Sequence, residues 1–232
     1  GILGVKAGSP NGVGVCSING TGTVNVGVDD NGEFLQVGGV GYISGDEAGG
    51  AFLVRRTFQA IYDELYRVGP KTILTKQIFD LYGINDKKYF LDQIVELTMN
   101  HQIDRTTVIK MLFKAANDGD EVAIAVLETA GSCMGHSVAG CINNLHFNDH
   151  VNVVLAGSVW AKATAMHMFN KFKEIVDQNT TIPCEYIILN AAPASGAVVW
   201  AMELATGTYP DNAMREKIIK KVEEAQEALP RT

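Results

Sequence analysis

The stretch "SINGTGTVNVG", residues 17–27, places glycines and threonines between two short apolar segments. Gly20, Thr21 and Gly22 suit a tight hairpin turn, since glycine adopts turn conformations at low cost. The same residues suit a cradle for phosphate, since backbone amides at strand ends and helix starts bind anions. A single Gly-Thr-Gly does not separate these two interpretations.

The segments on either side of this corner predict strands. Residues 12–18 ("GVGVCSI") and 23–30 ("TVNVGVDD") are apolar or alternate with small residues, and 33–39 ("EFLQVGG") follows an Asn-Gly turn signal. The first forty residues therefore predict an antiparallel meander with the Gly-Thr-Gly corner at its first turn.

The rest of the chain alternates between predicted helices and strands. A helix begins at Asp46 or a neighbour and runs to about Arg67, and 72–146 contains several more. Buried strands are predicted in 150–160 and 184–190, and each precedes a helix. An amphipathic helix at 212–228 ends the pattern, which is typical of a mixed α/β fold.

Composition excludes several classes of function. The 232 residues are 47% hydrophobic and carry a net charge of −7, with basic residues scattered along the chain. This argues against a nucleic-acid partner, and no apolar run reaches the roughly 18 residues of a membrane span. The four cysteines form no CxxC pair, which favours reduced thiols in a cytoplasmic protein.

The ordered motifs resemble those of the N-acetylglucosamine kinase and BadF/BadG ATPase family, within the actin-like ATPase and sugar kinase superfamily. "INGTGT" (18–23) is similar to its second phosphate loop, and "GGVGYISGDEAGG" (38–50) to its GGWGxxxGDEGSA signature. "VVLAGSVW" (153–160) and "PASGA" (193–197) are similar to its adenosine motif and its hinge. The chain departs from the signature at Val40, where tryptophan is usual, and at Gly49-Gly50, where Ser-Ala is usual.

The resemblance implies a fold and a domain organisation. The fold is a ribonuclease H-like lobe, a mixed sheet with a three-strand meander and flanking helices. Residues 1–11 would be the tail end of a first lobe, 12–208 the second ATPase or kinase lobe, and 209–232 a helix that packs on the first lobe. The catalytic Asp is expected just upstream of Gly1, so no catalytic base is assigned within the chain and the chain alone is expected to be inactive.

The resemblance also implies ligands and binding residues. ATP and Mg²⁺ are the expected cofactors and an amino sugar the expected substrate. The residues implied for ATP binding are Gly20, Thr21, Gly22, Thr23, Ala116, Gly157 and Ser158. The residues implied for sugar binding are Gly39, Asp46, Glu47 and Gly50.

The sequence itself leaves two alternatives open. Asp46 and Glu47 could simply cap a helix, and we expect Asp46 both to cap and to contact sugar hydroxyls. The function could be sugar phosphorylation or, as in other members of the family, ATP-driven switching of a partner enzyme. The 38–50 block favours the kinase.

No metal site is predicted within the chain. His146 and His150 are four residues apart without a third ligand nearby, and Cys133 and Cys141 lie about 80° apart around a helix. Dehydratase activators in the family hold an iron–sulfur cluster between two subunits, but we assign none here, because the resemblance of 38–50 to the sugar kinase signature argues against it. The expected assembly is a homodimer, with the apolar residues of 212–228 and Leu229 at the contact when no first lobe is present.

Overall fold

The protein is described by a computed structural model that covers residues 1–162 and 166–228. Five strands form one sheet in these residues. They are β1 (Gly14–Asn19), β2 (Thr23–Val28), β3 (Phe34–Gly38), β4 (Val151–Ala156) and β5 (Cys184–Ile188).

Helices make up most of the remaining described chain. They are α1 (Ile2–Gly8), α2 (Gly50–Tyr66), α3 (Ile73–Tyr82), α4 (Phe90–Met99), α5 (Arg105–Asn117), α6 (Glu121–Asn143), α7 (Ser158–Lys162), α8 (Met166–Asn179), α9 (Pro193–Thr206) and α10 (Asn212–Glu227). The helix predicted to follow the strand in 150–160 corresponds to α7 and α8, and residues 163–165 between them lie outside the described residues.

The sheet has the strand order β3-β2-β1-β4-β5. Strands β1, β2 and β3 form the antiparallel meander, whereas β1, β4 and β5 are parallel. The prediction of a mixed sheet with a three-strand meander is confirmed. Because β1 and β4 run in the same direction, the Gly-Thr-Gly corner after β1 and Gly157 after β4 lie at the same edge of the sheet, where ligands bind in many α/β folds.

Each face of the sheet is covered by helices. Val15 of β1 and Val153 of β4 face the larger core, which contains α2, α5, α6 and α8. Cys16 and Val154, the next residues along each strand, face a smaller core that includes α1. Every residue of β4 is buried, as expected for a central parallel strand covered on both faces.

Helix α6 is held at its first residue and along one face. The Asp120 carboxylate caps it by accepting from the Ala123 amide at 2.9 Å. Its small residues allow α8 to approach closely, since an ideal Cβ on Gly131 would lie 2.3 Å from the Met168 carbonyl oxygen. By length and composition alone α6 could cross a membrane, but half of its most apolar 18 residues are buried in the structure, as in the core helix of a globular protein.

Residues 1–11 pack against the sheet through a short helix. Ile2–Gly8 form α1, and Val5 and Ala7 are fully buried against the smaller core. An ideal Cβ on Gly4 would lie 2.3 Å from the Cys16 sulfur, and one on Gly8 would lie 2.4 Å from a Val154 methyl. The two glycines therefore let α1 lie directly on β1 and β4.

Helix α10 packs against α9 and also contacts the end of α1. Ile218 is buried, and the Arg215 guanidinium donates to the Ala7 carbonyl at 2.8 Å. A shallow apolar groove of about 330 Å³ remains between α9 and α10, with Val198 and Val222 in its walls. Leu229, predicted to extend the apolar stripe of α10, lies outside the described residues.

Candidate functional site

The Gly-Thr-Gly corner is a hairpin turn whose outer side is open. The register pairs Asn19 with Thr23, which leaves Gly20, Thr21 and Gly22 as the turn. The Gly20 amide donates to the Gly22 carbonyl at 3.0 Å. No atom lies within 4 Å of an ideal Cβ at either glycine, so the turn offers open space on its outer side. The two interpretations of this stretch are therefore compatible, because a hairpin can present an open surface to a ligand.

The first turn of helix α2 is hydrogen-bonded to this hairpin turn. The Gly50 amide donates to the Gly20 carbonyl at 2.8 Å, and the Ala51 amide donates to the Thr21 carbonyl at 3.1 Å. Two of the amides that a helix leaves unpaired at its first turn are thus satisfied by the hairpin. Because the Gly20 and Thr21 carbonyls accept these two hydrogen bonds, the hairpin is fixed to the first turn of α2.

The contact between α2 and the hairpin requires glycine at position 49. An ideal Cβ on Gly49 would lie 2.6 Å from the Thr21 carbonyl oxygen and 2.7 Å from the Gly22 Cα. Its φ of −65° is accessible to any residue, so the restriction comes from packing alone. At position 49 the sequence has glycine where the family signature has serine, and at this position the backbone before α2 lies against the backbone of the hairpin.

Asp46 does not cap α2, which corrects the prediction that it would. The N-cap of α2 is Gly49, without a side-chain cap hydrogen bond. Instead Asp46 Oδ2 accepts from the amides of Val40 and Gly41 at 2.8 and 2.6 Å. The helix starts three residues later than the acidic pair, because Gly49 and Gly50 pack beneath the hairpin. The carboxylate is therefore used to shape the 38–46 loop.

The 38–46 loop depends on glycine for its conformation. Gly38 and Gly39 have φ values of +77° and +83°, a region that favours glycine. An ideal Cβ on Gly38 would also lie 2.4 Å from Asp46 Oδ1. The loop thus brings Gly39 and a half-buried Asp46 carboxylate next to the hairpin.

One cavity of about 380 Å³ collects most of the predicted phosphate and sugar residues, and we call it the acidic cavity. Its lining includes Thr21, Gly22, Thr23, Gly39, Asp46 and Glu47. Gly20 and Gly50 are not among its lining residues, and their hydrogen bond joins the hairpin to the start of α2. The fold therefore brings together residues that are 25 positions apart in the sequence.

Arg55 is a lining residue that the sequence analysis missed. It lies one turn after Ala51 on α2, and its guanidinium pairs with Glu47 Oε1 at 3.2 Å and stacks 5.3 Å from the centre of the Phe52 ring. The position of Arg55 could have been predicted from the correct start of α2, because in a helix that begins at Gly50 positions 51 and 55 lie on the same face.

A second cavity, of about 480 Å³, lies beyond Gly157 at the same edge of the sheet. Ser158 and Val159 line it from α7, and Phe113, Lys110, Lys114 and Asn117 line it from α5. Gly157 has a φ of +101°, and an ideal Cβ there would lie 2.4 Å from the Asn19 carbonyl oxygen. This glycine therefore lets the start of α7 approach the end of β1, directly before the hairpin.

The predicted adenosine residue Ala116 lies in the core. It is 1% exposed and belongs to the larger core, while its neighbours Phe113 and Asn117 line the cavity.

The Ile109 side chain lines the second cavity and also lies near the start of α2, since its Cδ1 lies 3.1 Å from an ideal Cβ on Gly50.

Polar side chains are buried in the sheet directly below the hairpin. Ser17 and Asn25 are opposite each other in the β1–β2 register, and Asn19 follows on the same face of β1. The Ser17 hydroxyl, both polar atoms of Asn19 and Asn25 Oδ1 have no hydrogen-bond partner among the described residues. Buried polar groups of this kind are usually satisfied by ordered water or a ligand.

The described residues contain no group of three His, Cys, Asp or Glu side chains close enough to hold a metal ion. Cys133 and Cys141 are both free, and burial raises the pKa of the Cys141 thiol to about 11. A thiol with such a pKa stays protonated at neutral pH, whereas metal ions bind the thiolate. His146 makes a contact of 3.2 Å with Asn148 in the loop after α6.

Comparison with known proteins gives the family. A model of the BadF/BadG/BcrA/BcrD ATPase family matches residues 1–201, and the chain belongs to this family, as the sequence motifs predicted. A curated relative is the N-acetylmuramic acid/N-acetylglucosamine kinase of Clostridium acetobutylicum. It is 24% identical over 189 residues, which cover 81% of this chain and 60% of the relative.

Solved structures confirm the fold class. A candidate N-acetylglucosamine kinase from Chromobacterium violaceum aligns with a TM-score of 0.58 at 23% identity and covers 84% of this chain and 63% of its own. A second one, from Porphyromonas gingivalis, has a TM-score of 0.56 at 17% identity and covers 85% and 63%. The chain thus spans about three fifths of the length of these relatives.

Proposed function

We propose that this chain is the second lobe of an ATP-dependent kinase that phosphorylates an amino sugar, similar to N-acetylglucosamine kinases. The observation that carries the proposal is the acidic cavity, which the Gly-Thr-Gly hairpin and the Asp46 loop line together. A kinase must hold a phosphoryl donor and a hydroxyl acceptor side by side, since its catalysis is mostly positioning and electrostatic stabilisation.

The nucleotide would lie across the edge of the sheet. The Thr21 hydroxyl and the amides of the hairpin would face the β- and γ-phosphates, and Thr23 would support the turn. Ser158 and the α5 side of the second cavity would hold adenosine, with the Lys110 and Lys114 ammonium groups in the wall. The cavity volume of about 480 Å³ is in the range of small-molecule sites, and the open outer side of the hairpin fits phosphate.

The sugar would be bound from the 38–47 loop. Asp46 Oδ2 is occupied by two backbone amides, which leaves Oδ1 to accept a hydrogen bond from a hydroxyl group. Glu47 and Gly39 line the same cavity. A carboxylate fixed by its own loop is well suited to orient a sugar, because little side-chain entropy remains to be lost on binding.

The remaining catalytic parts are assigned to a first lobe upstream of Gly1. That lobe would supply the Asp that accepts the proton of the sugar hydroxyl and the phosphate loop that binds Mg²⁺. General-base assistance typically contributes about 10²–10⁴-fold to the rate, so the chain alone is expected to bind ligands without turnover. We further propose a cytoplasmic location and a homodimeric assembly.

The proposal is tested with a protein extended upstream of Gly1 to include a first lobe. We expect release of ADP from MgATP that depends on an amino sugar, measured with a coupled assay. ATP turnover that no amino sugar in a panel changes would contradict the kinase and would favour the ATP-driven switch. Omission of Mg²⁺ serves as the control for phosphoryl transfer.

A further inference from the structure

A third cavity, of about 420 Å³, lies between α2, α4 and the start of α5, and we call it the basic cavity. The ionisable side chains that line it are those of Arg55, His101 and Arg105, all exposed, and no carboxylate of the described residues lines it. Apolar walls beside exposed cations suit a ligand that has an apolar body and a negatively charged end. The walls consist of buried or half-buried apolar side chains, those of Val54, Phe58, Ile94, Leu97 and Ile103.

Arg105 is the cation of this cavity that is available to bind an anion. In the described parts of the chain its guanidinium makes no ion pair. The neighbouring Asp104 carboxylate accepts from the Thr107 amide at 3.0 Å and from the Thr107 hydroxyl at 2.6 Å, so it is used as the cap of α5. Arg105 therefore keeps its hydrogen-bond donors for a ligand.

Arg55 already has a partner, which determines how much negative charge the cavity can balance. Its guanidinium pairs with Glu47 at 3.2 Å, and both side chains are about half exposed. Arginine is always charged, so one of the two arginine charges at the cavity is neutralised by Glu47 and one remains. The remaining charge matches a carboxylate, which is singly charged, better than a phosphate group, which carries nearly two charges.

The segment between α4 and α5 that carries His101 is held in place without a ligand. The Gln102 amide donates to the Leu97 carbonyl at 2.8 Å, and the Asp104 amide donates to the Tyr82 hydroxyl at 3.1 Å. The cavity is therefore preformed, which lowers the entropy lost on binding.

We propose that the basic cavity binds a small aliphatic carboxylate, with its chain against the apolar walls and its carboxylate on Arg105. A guanidinium binds a carboxylate with two parallel hydrogen bonds, and each methylene group that leaves water strengthens the binding. This proposal goes beyond the proposed function, because it requires neither a nucleotide nor a sugar in the acidic cavity.

The ligand would act on the acidic cavity through Arg55. An ion pair between two exposed side chains contributes little to stability, so Arg55 can leave Glu47 for a carboxylate in the basic cavity at low cost. Arg55 and Glu47 both line the acidic cavity, and the exchange would free the Glu47 carboxylate there. Glu47 and the ligand therefore compete for Arg55.

The test uses the 232-residue chain in a nuclear magnetic resonance titration of backbone amides, which detects weak binding. The probe is octanoate. It is compared with acetate, which has the charge without the apolar body, and with octanol, which has the body without the charge. We expect octanoate to bind at least about tenfold more tightly than either, and to shift the amides of 54–58 and 97–105.

Two arginine variants separate the basic cavity from general effects of charge. Arg105→Gln should lower the affinity for octanoate about tenfold, because the charge-assisted hydrogen bonds are lost. Arg56→Gln is the matched control, since Arg56 also lies on α2 but lines a different cavity. It should leave the affinity unchanged.

Glu47→Gln tests the competition for Arg55. We expect the affinity for octanoate to rise about two- to fivefold, as for the loss of a weak competing ion pair. Asp63→Asn is the matched control, because it removes a carboxylate on α2 that pairs with Arg67 and not with Arg55. It should leave the affinity unchanged.

Three results would overturn the proposal. Octanoate that binds no more tightly than octanol, or that keeps its affinity in Arg105→Gln, would contradict a carboxylate site in the basic cavity. Amide shifts confined to the groove between α9 and α10 would contradict it as well, since the apolar chain would then bind at another surface. An unchanged affinity in Glu47→Gln would contradict the competition for Arg55.

Discussion

The amide of Gly50 donates a hydrogen bond to the carbonyl of Gly20 at 2.8 Å, and this contact joins the first turn of α2 to the hairpin between β1 and β2. Two motifs that are 30 residues apart in the sequence thereby form one rigid unit. Because α2 also carries Arg55, the position of the hairpin determines the geometry of the acidic cavity.

Gly49→Ala should displace the hairpin. The new Cβ would lie 2.6 Å from the Thr21 carbonyl oxygen, and overpacking of this kind typically costs about 1–3 kcal/mol in the free energy of unfolding. We expect a lower urea midpoint and weaker binding of a non-hydrolysable ATP analogue.

Gly140→Ala is the matched control for that substitution. Gly140 lies in α6 with no atom within 4 Å of an ideal Cβ, so alanine should raise the free energy of unfolding by up to about 1 kcal/mol. Equal stability and equal nucleotide affinity of Gly49→Ala and the unmodified chain would show that the hairpin tolerates the added methyl group.

Asp29 should make the stability of the lobe depend on acid pH. Burial acts to raise its pKa, but hydrogen bonds from the amides of His146, Glu33 and Asn31 outweigh this and lower the pKa below its ordinary value. The folded state therefore binds a proton less readily than the unfolded state. The stabilisation is complete above the unfolded pKa of about 3.9 and is lost as the pH falls through the lower folded pKa.

Asp29→Asn checks this prediction in urea denaturation from pH 7 to pH 3. The variant should be less stable than the unmodified chain at pH 7, and the difference should shrink as the pH approaches 3. A difference that stays constant over this range would mean that the Asp29 charge contributes nothing. Asp30→Asn provides the comparison, since the exposed Asp30 carboxylate accepts from one backbone amide, that of Asn148, at 2.8 Å, whereas Asp29 accepts from three.

The groove between α9 and α10 should mediate self-association of the chain. Its walls are apolar, and Val198 remains 45% exposed. Exposed apolar surface of this kind commonly marks an interaction site. Light scattering should show a dimer that Val222→Asp converts to a monomer, whereas Lys217→Asp, at an exposed position of α10 outside the groove, should leave it intact. A monomer at all concentrations would contradict the prediction.

Sequence patterns predicted the elements whose signals are local. The hairpin follows from the glycines and the alternating valines of 12–30, and α3, α4, α5 and α6 lie within 72–146, where several helices were predicted. The 38–46 loop was identified by its resemblance to the family signature, and the positive φ values of its glycines explain why glycine stands at these positions.

Other features depend on tertiary packing and could not be predicted locally. Helix α1 is seven residues long and contains Gly4 and Gly8, which disfavour an isolated helix. It forms because those glycines let it lie on β1 and β4. The start of α2 was placed too early, because an acidic residue before an apolar run usually caps a helix, whereas Asp46 accepts from the amides of its own loop.

Asp46 is proposed to bind the sugar in a site shared with the nucleotide, and calorimetry on Asp46→Asn in the protein with both lobes measures its contribution. We expect sugar affinity to fall by about tenfold or more, as for the loss of a charged hydrogen bond of about 1.5–3 kcal/mol, while affinity for ATP stays nearly unchanged. Asparagine keeps one oxygen for the Val40 and Gly41 amides, so the loop should persist. Unchanged sugar affinity together with a lower free energy of unfolding would contradict the claim and would leave Asp46 with a purely structural role.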